Sequence, residues 1–218
     1  MIFDPQFAWS LLPELGRGLV VTVQATLGGM ALALTLGLAA ALARRSRRRW
    51  IAWPAGLAVE FVRSTPLLVQ LYFLFYVLPS AGVQFSAFTT GVLALGVHYA
   101  AYCSEVYRAG LESVPRGQWE AATALNLTRW QTYRRVVLPQ AIPPVVPALG
   151  NYLVAMFKDT PLLSAITVLE LLQRAKVIGA ETFRYVEPLT LVGLLFLAVS
   201  LVAAAGVRAL EVRLRLQT

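Results

Sequence analysis

The stretch 19–43 contains no charged side chain. A helix of about 20 apolar residues crosses the hydrocarbon core of a bilayer. A helix also satisfies its own backbone where no water can. This run therefore limits the chain to a membrane-spanning helix more tightly than any other feature. Gly28, Gly29 and Gly37 inside it would weaken a soluble helix, but small residues let helices approach closely in lipid. The run ends in Arg44, Arg45, Arg47, Arg48, Arg49 and Trp50, an interfacial anchor and an orientation signal.

Four more apolar runs follow, at about 54–78, 88–107, 139–157 and 188–210. Pro66 predicts a kink in the second. The composition agrees with a membrane class: 58% of residues are hydrophobic and 14% charged, against about 25% charged in soluble domains. The reading is an all-α membrane protein, a single domain over 1–218 with five spans and a polar loop at 108–138. Cys103 is the only cysteine, so no intrachain disulfide can form. No signal peptide is expected, since no basic residue precedes Arg17 and the first run is long enough to span.

The net charge of +8 does not read as a nucleic-acid surface, because most arginines flank apolar runs. The first cluster, the polar loop and the end of the chain hold thirteen arginines. The opposite side holds Arg174, Lys176 and Arg184, with Arg17 at its border. The positive-inside rule then places the N-terminus outside and the C-terminus in the cytoplasm.

The loop 108–138 reads as two short helices around a corner. Pro115 suits a first helical turn, and residues 118–125 favour helix. Asn126 can take the left-handed conformation that stops a helix. Thr128 and Gln131 form a capping box that starts the next one. Leu138 precedes Pro139, a position that disfavours continued helix. Trp119, Leu125, Leu127 and Trp130 lack an obvious core. Physics alone leaves two readings open, a hairpin resting on lipid headgroups and a docking surface for a partner.

The pattern Glu120-Ala121-Ala122, three residues, Asn126, nine residues, then Val136-x-Leu138-Pro139 resembles the EAA loop of ABC importer permeases. That family has Gly where Asn126 stands. The segments 60–70, 101–110, 114–118, 139–141, 150–151 and 158–163 are similar, in order, to polar amino-acid-type permeases of the MetI-like family, which more often have Ser at the position of Pro161. Residues 161–185 look most like ectoine/hydroxyectoine permease subunits.

The resemblance implies a type I importer permease in the bacterial cytoplasmic (inner) membrane, moving a small polar or zwitterionic solute. Gly117, Glu120, Ala121, Ala122, Asn126, Leu138 and Pro139 would dock into an ABC ATPase subunit. A second permease subunit, a related chain or the chain itself, would complete the pathway. An extracytoplasmic binding protein would deliver the solute. No cofactor is expected in this chain. ATP and Mg would belong to the partner, because neither Lys158 nor Lys176 follows a Gly and a P-loop is therefore absent.

Polar residues at membrane depth must face protein or a water-filled path. Gln70, His98, Tyr99 and Asn151 are accordingly candidates for the solute pathway. Lys158, Asp159 and Thr160 join them, since adjacent opposite charges suit a zwitterion and equally suit a gate. For His98 the bland alternative is a hydrogen-bonded interior histidine; no metal site is expected. Glu60 and Arg63, one turn apart, would form a structural ion pair. Glu170 and Glu187 are placed near the outer mouth. The rival reading is a secondary transporter or channel subunit working without ATP. It would need ionisable residues facing inward at mid-membrane, and most charges here lie near span ends.

Overall fold

The protein is described here by a computed structural model covering residues 3–215, and every regular element among the described residues is helical. Helix α1 (Pro5–Arg44) starts well before the apolar run. The Asp4 carboxylate accepts from the Gln6 and Phe7 amides, and Pro5 occupies the first turn, where its missing N–H costs nothing. Phe7, Leu11 and Leu15 recur at helical spacing and pack on Leu171, Ala175 and Val192. Glu14 and Arg17 hide this extension from hydropathy. They are accommodated as ions, Glu14 pairing with Arg17 at 3.1 Å and with Arg174.

The expected kinked span at 54–78 is instead two helices, α2 (Arg49–Arg63) and α3 (Leu67–Tyr72). Their segments meet at 103°. Pro66 caps α3 in an extended conformation, so the chain turns before it. The Gln70 amide donates to the Val62 carbonyl at 2.8 Å, the Thr65 carbonyl at 3.2 Å and Thr65 Oγ1 at 2.7 Å. Those bonds satisfy backbone groups that the break exposes, which makes so sharp a corner tolerable among apolar surroundings. A π-helical turn (Phe73–Val77) and a 3-10 turn (Leu78–Ala81) carry α3 onward to Gly82.

Helix α4 (Ala87–Glu112) lies along α1 and also packs on α7 (Leu138–Asp159). The approach to α1 depends on Gly37. A Cβ there would lie 2.7 Å from Cβ of Cys103 and 2.9 Å from the Ala100 carbonyl oxygen. The central core joins Leu95, Cys103, Met156, Leu163 and Ile166. Cys103 is fully buried, as its apolar setting suggests.

Helix α5 (Arg116–Ala124) and helix α6 (Arg129–Thr132) form the hairpin. The expected break before Pro139 does not occur. A π-helical turn (Tyr133–Val137) joins α6 to α7, and the Leu138 amide donates to the Tyr133 carbonyl. The wider turn accommodates Pro139, which has no N–H to give. A 3-10 segment (Thr160–Ile166) leads to α8 (Leu171–Thr182), and α9 (Val186–Arg215) follows.

By length and composition α1 and α9 can each cross a membrane. Two bent pairs, Arg49–Arg63 with Leu67–Ala81 and Arg129–Ile166 with Leu171–Thr182, raise the number to four if each is one span. Helix α4 is not among these.

Candidate functional site

Midway along α4, four of the residues singled out in the sequence come together. His98 Nδ1 lies 3.2 Å from Gln70 Oε1. The Tyr99 hydroxyl donates to Asp159 Oδ2 at 2.7 Å. The His98 and Tyr99 rings meet edge to face at 5.6 Å between centroids. Gln70, His98, Tyr99 and Asp159 therefore form one line from α3 across α4 to the last residue of α7. Tyr102 and Tyr152 thicken it into an aromatic cluster, with ring centroids 5.7 Å apart. Pattern reading passed over both as functional candidates, because a tyrosine at helical spacing is ordinarily packing.

The other three pathway candidates lie apart from that line. Asn151 and Lys158 are exposed. Thr160 is fully buried and donates to the Phe157 carbonyl at 2.7 Å at the end of α7.

Toward the hairpin end of α4 stands a charge cluster. Glu105 accepts from Arg44 at 2.7 Å, from Arg63 at 3.3 Å and from Arg108 at 2.8 Å. Arg63 also lies 3.6 Å from Glu60, whose side chain is 68% exposed. Glu105 is only 20% exposed, so it is the carboxylate through which Arg63 is held to α4. Three guanidiniums on one carboxylate join the ends of α1 and α2 to α4. Arg63 also stacks over the Tyr102 ring at 5.6 Å, linking this cluster to the aromatic one. Within the cluster, Glu60–Arg63 and Glu105–Arg108 are spaced about one helical turn apart in the sequence. Arg63 and Arg44 lie 42 and 61 residues away from Glu105.

The hairpin has a dry inner face and a bare outer one. Val114, Val137 and Ala141 are buried, with Trp119 and Tyr133 packed on them edge to face at 5.4 Å. Asn126 adopts φ +51°, and the Leu127 amide reaches the Ala122 carbonyl at 3.1 Å, closing the helix end. Both bonds of the Thr128–Gln131 capping box are present. Ala122 faces inward, while Glu120, Ala121, Leu138 and Pro139 are exposed. Leu125 is 73% and Trp130 70% exposed. Gly117 is exposed too, and a Cβ there would meet nothing.

At the far end, Glu187 accepts from Arg184 and from the Asp4 amide. The Arg184 guanidinium holds the Glu187 carboxyl below the usual carboxylate range. Glu170 caps α8 by accepting from the Leu172 and Gln173 amides. Burial nevertheless pushes its carboxyl up. Among the described residues no group of three or more His, Cys, Asp or Glu side chains could hold a metal ion.

The described residues thus form an all-helical bundle with a capped, half-exposed hairpin and a polar line midway along α4. Residues 33–216 match the family described as "Binding-protein-dependent transport system inner membrane component". A protein of Sinorhizobium fredii described as "Probable amino-acid ABC transporter permease protein" is 52% identical over 208 residues, covering 95% of this chain and 90% of that one. The glutamine transport system permease protein of Escherichia coli (strain K12) is 35% identical, covering 99% of this chain and all of that one. A crystal structure of an amino acid ABC transporter with histidines superposes with a TM-score of 0.93 at 34% identity, covering 98% of this chain and 100% of that chain. The MetNI methionine ABC transporter in inward-facing conformations shares the fold, with a TM-score of 0.72 at 20% identity over 95% of this chain and 99% of that chain.

The chain belongs to this family of ABC importer permeases. It is a membrane permease subunit and not an enzyme; ATP hydrolysis resides in a partner subunit, and a substrate-binding protein supplies the cargo. The reading as an ATP-independent transporter or channel is not favoured.

Proposed function

We propose that this permease imports an amino acid across the bacterial inner membrane, with five spans, the N-terminus outside and the C-terminus in the cytoplasm. The observation that carries the coupling reading is the continuous helical rod from Arg129 to Asp159. Its 31 residues span about 46 Å, from the exposed hairpin at one end to the polar line at the other. A push on the hairpin by the ATPase would therefore reach Asp159 without crossing a loop. Helix α4 supports the fifth span: its 26 residues extend about 39 Å, longer than the ~30 Å hydrocarbon core.

In this reading Glu120, Ala121, Asn126 and the bare Leu125 and Trp130 meet the ATPase. Gly117 lies in the first turn of the same docking helix. Ala122 packs the hairpin from beneath, and Leu138 and Pro139 begin the rod. ATP and Mg are bound by the ATPase. Asp159, with the tyrosine cluster beside it, offers a solute ammonium both a countercharge and aromatic faces. Gln70 and His98 supply neutral polar contacts. Asn151 and Lys158, exposed in the single chain, would face a second permease subunit or the shared path. The similarity of the relatives favours an amino acid; the 161–185 pattern keeps the zwitterions ectoine and hydroxyectoine as the second reading.

Reconstitution tests this. The permease, its ATPase, any second permease chain and the binding protein are placed in proteoliposomes with labelled amino acids and ectoine. Uptake that requires ATP and the binding protein is expected, with an amino acid as the cargo. Uptake that persists without ATP overturns the importer reading, and transport of ectoine alone overturns the amino-acid assignment.

A further inference from the structure

A cavity of about 590 Å³ opens between the end of α1 and the hairpin. Leu42, Arg45 and Arg47 line it from one side; Trp119, Thr123, Leu127, Arg129, Thr132 and Tyr133 line it from the other. Three arginines thus converge on one space from two separate elements. Glu105 and Glu112, at the end of α4, are already engaged, Glu105 by Arg44, Arg63 and Arg108 and Glu112 by Arg108. Among the described residues no carboxylate pairs with Arg45, Arg47 or Arg129. Guanidiniums in a concave site without an anion match phosphate oxygens, which they hold in bidentate fashion.

The surroundings select among phosphates. Leu42 is 59% exposed on the last turns of α1, beside the same cavity. On α2, Trp50, Trp53, Leu57 and Phe61 are all exposed, at 71%, 70%, 50% and 69%. At 3.6 residues per turn these four fall within about 80° of one another. Val59, the one buried residue of α2, lies on the opposite side. Arg48 stacks over the Trp50 ring at 5.9 Å. An exposed stripe of this kind beside arginines sits at the headgroup–acyl boundary. This setting suits the depth of a phospholipid headgroup, and the exposed Leu42 gives the cavity an apolar edge for an acyl chain.

We propose that this cavity is a binding site for the phosphate headgroup of an anionic phospholipid. A lipid seated there would touch Arg45 and Arg47 of the α1 end and Arg129 of the hairpin together. It would tie the membrane-embedded helix to the element that meets the ATPase, so lipid charge would modulate coupling. The site rests on the membrane reading of the chain but not on its cargo or on ATP use.

The test is retention of phospholipid by the purified full-length permease in detergent, read by native mass spectrometry after incubation with phosphatidylglycerol or phosphatidylcholine. The expected result is one more tightly held phosphatidylglycerol on the wild type than on R45Q/R47Q/R129Q, with binding weakened roughly tenfold or more. Phosphatidylcholine should show no such difference. All three arginines are exposed, so folding should survive, and R45K/R47K/R129K should restore much of the retention. Equal retention by wild type and the Gln variant overturns the site. Displacement of phosphatidylglycerol by an equal concentration of inorganic phosphate overturns the lipid as occupant and assigns the cavity to a soluble phosphate. Reconstitution that shows ATP-independent uptake while retention follows these expectations would sink the importer reading and leave this site standing.

Discussion

The Tyr99 hydroxyl donates to the Asp159 carboxylate at 2.7 Å, joining the middle of α4 to the last residue of α7. This bond closes the end of the helical rod against the bundle. Tyr99→Phe keeps the ring and its packing but leaves a partly buried carboxylate without that donor. Such a loss costs about 1–3 kcal/mol. Thermal unfolding in detergent should show a lowered midpoint, and ATP-driven uptake should fall. An unchanged midpoint with unchanged uptake would mean that the bond contributes nothing.

Glu105 is the single carboxylate shared by Arg44, Arg63 and Arg108. Glu105→Gln leaves Arg44 without a carboxylate partner and Arg63 and Arg108 with Glu60 and Glu112 alone, and should destabilise by about 1–3 kcal/mol. The same change in an Arg44→Gln background should cost less, because the charge that Glu105 alone pairs is already gone. A double-mutant cycle on unfolding midpoints measures the difference.

Asn126 holds the hairpin corner at φ +51°. Asn126→Gly should be near neutral, since glycine adopts this region freely. Asn126→Val should cost about 1–2 kcal/mol, and should uncouple ATPase activity from transport more than it unfolds the protein. The ratio of ATP hydrolysed to solute moved distinguishes the two effects.

Glu187 is held below its ordinary pKa by Arg184. A depressed carboxyl contributes stability that is present above its unfolded pKa, about 4.3. That contribution is lost as pH falls through the lower folded value. Wild type should therefore exceed R184Q in unfolding midpoint at neutral pH, and the gap should close in acid. A gap that widens on acidification contradicts the pairing.

Legibility in the sequence followed the range of the interaction. The Asn126 corner and the Thr128–Gln131 box were readable because they are settled within a few residues. The apolar runs announced helices, but the 5–18 extension of α1 was hidden by Glu14 and Arg17; Glu14 pairs with Arg17 and with Arg174 from α8. Pro66 promised a kink and delivered a 103° corner. The added bend is held by Gln70, which was read as a pathway group and is also the latch of the break. Pro139 was taken as a stop, yet a π-helical turn lets the helix pass through it. The Glu105 cluster stayed invisible because its arginines come from three elements. Gln70, His98, Tyr99 and Asp159 were named one by one; only the packing of α3, α4 and α7 made them a line.

Whether the hairpin docks an ATPase or rests on lipid is the central question, and Leu125, 73% exposed beside the corner, reports on it most directly. A cysteine placed there in a Cys103→Ala background can carry a photoactivatable cross-linker in membranes containing the assembled transporter. The account predicts a cross-link from Leu125→Cys to the ATPase subunit, with a yield that changes when ATP binds. Cross-linking to lipid alone, indifferent to ATP, would contradict it.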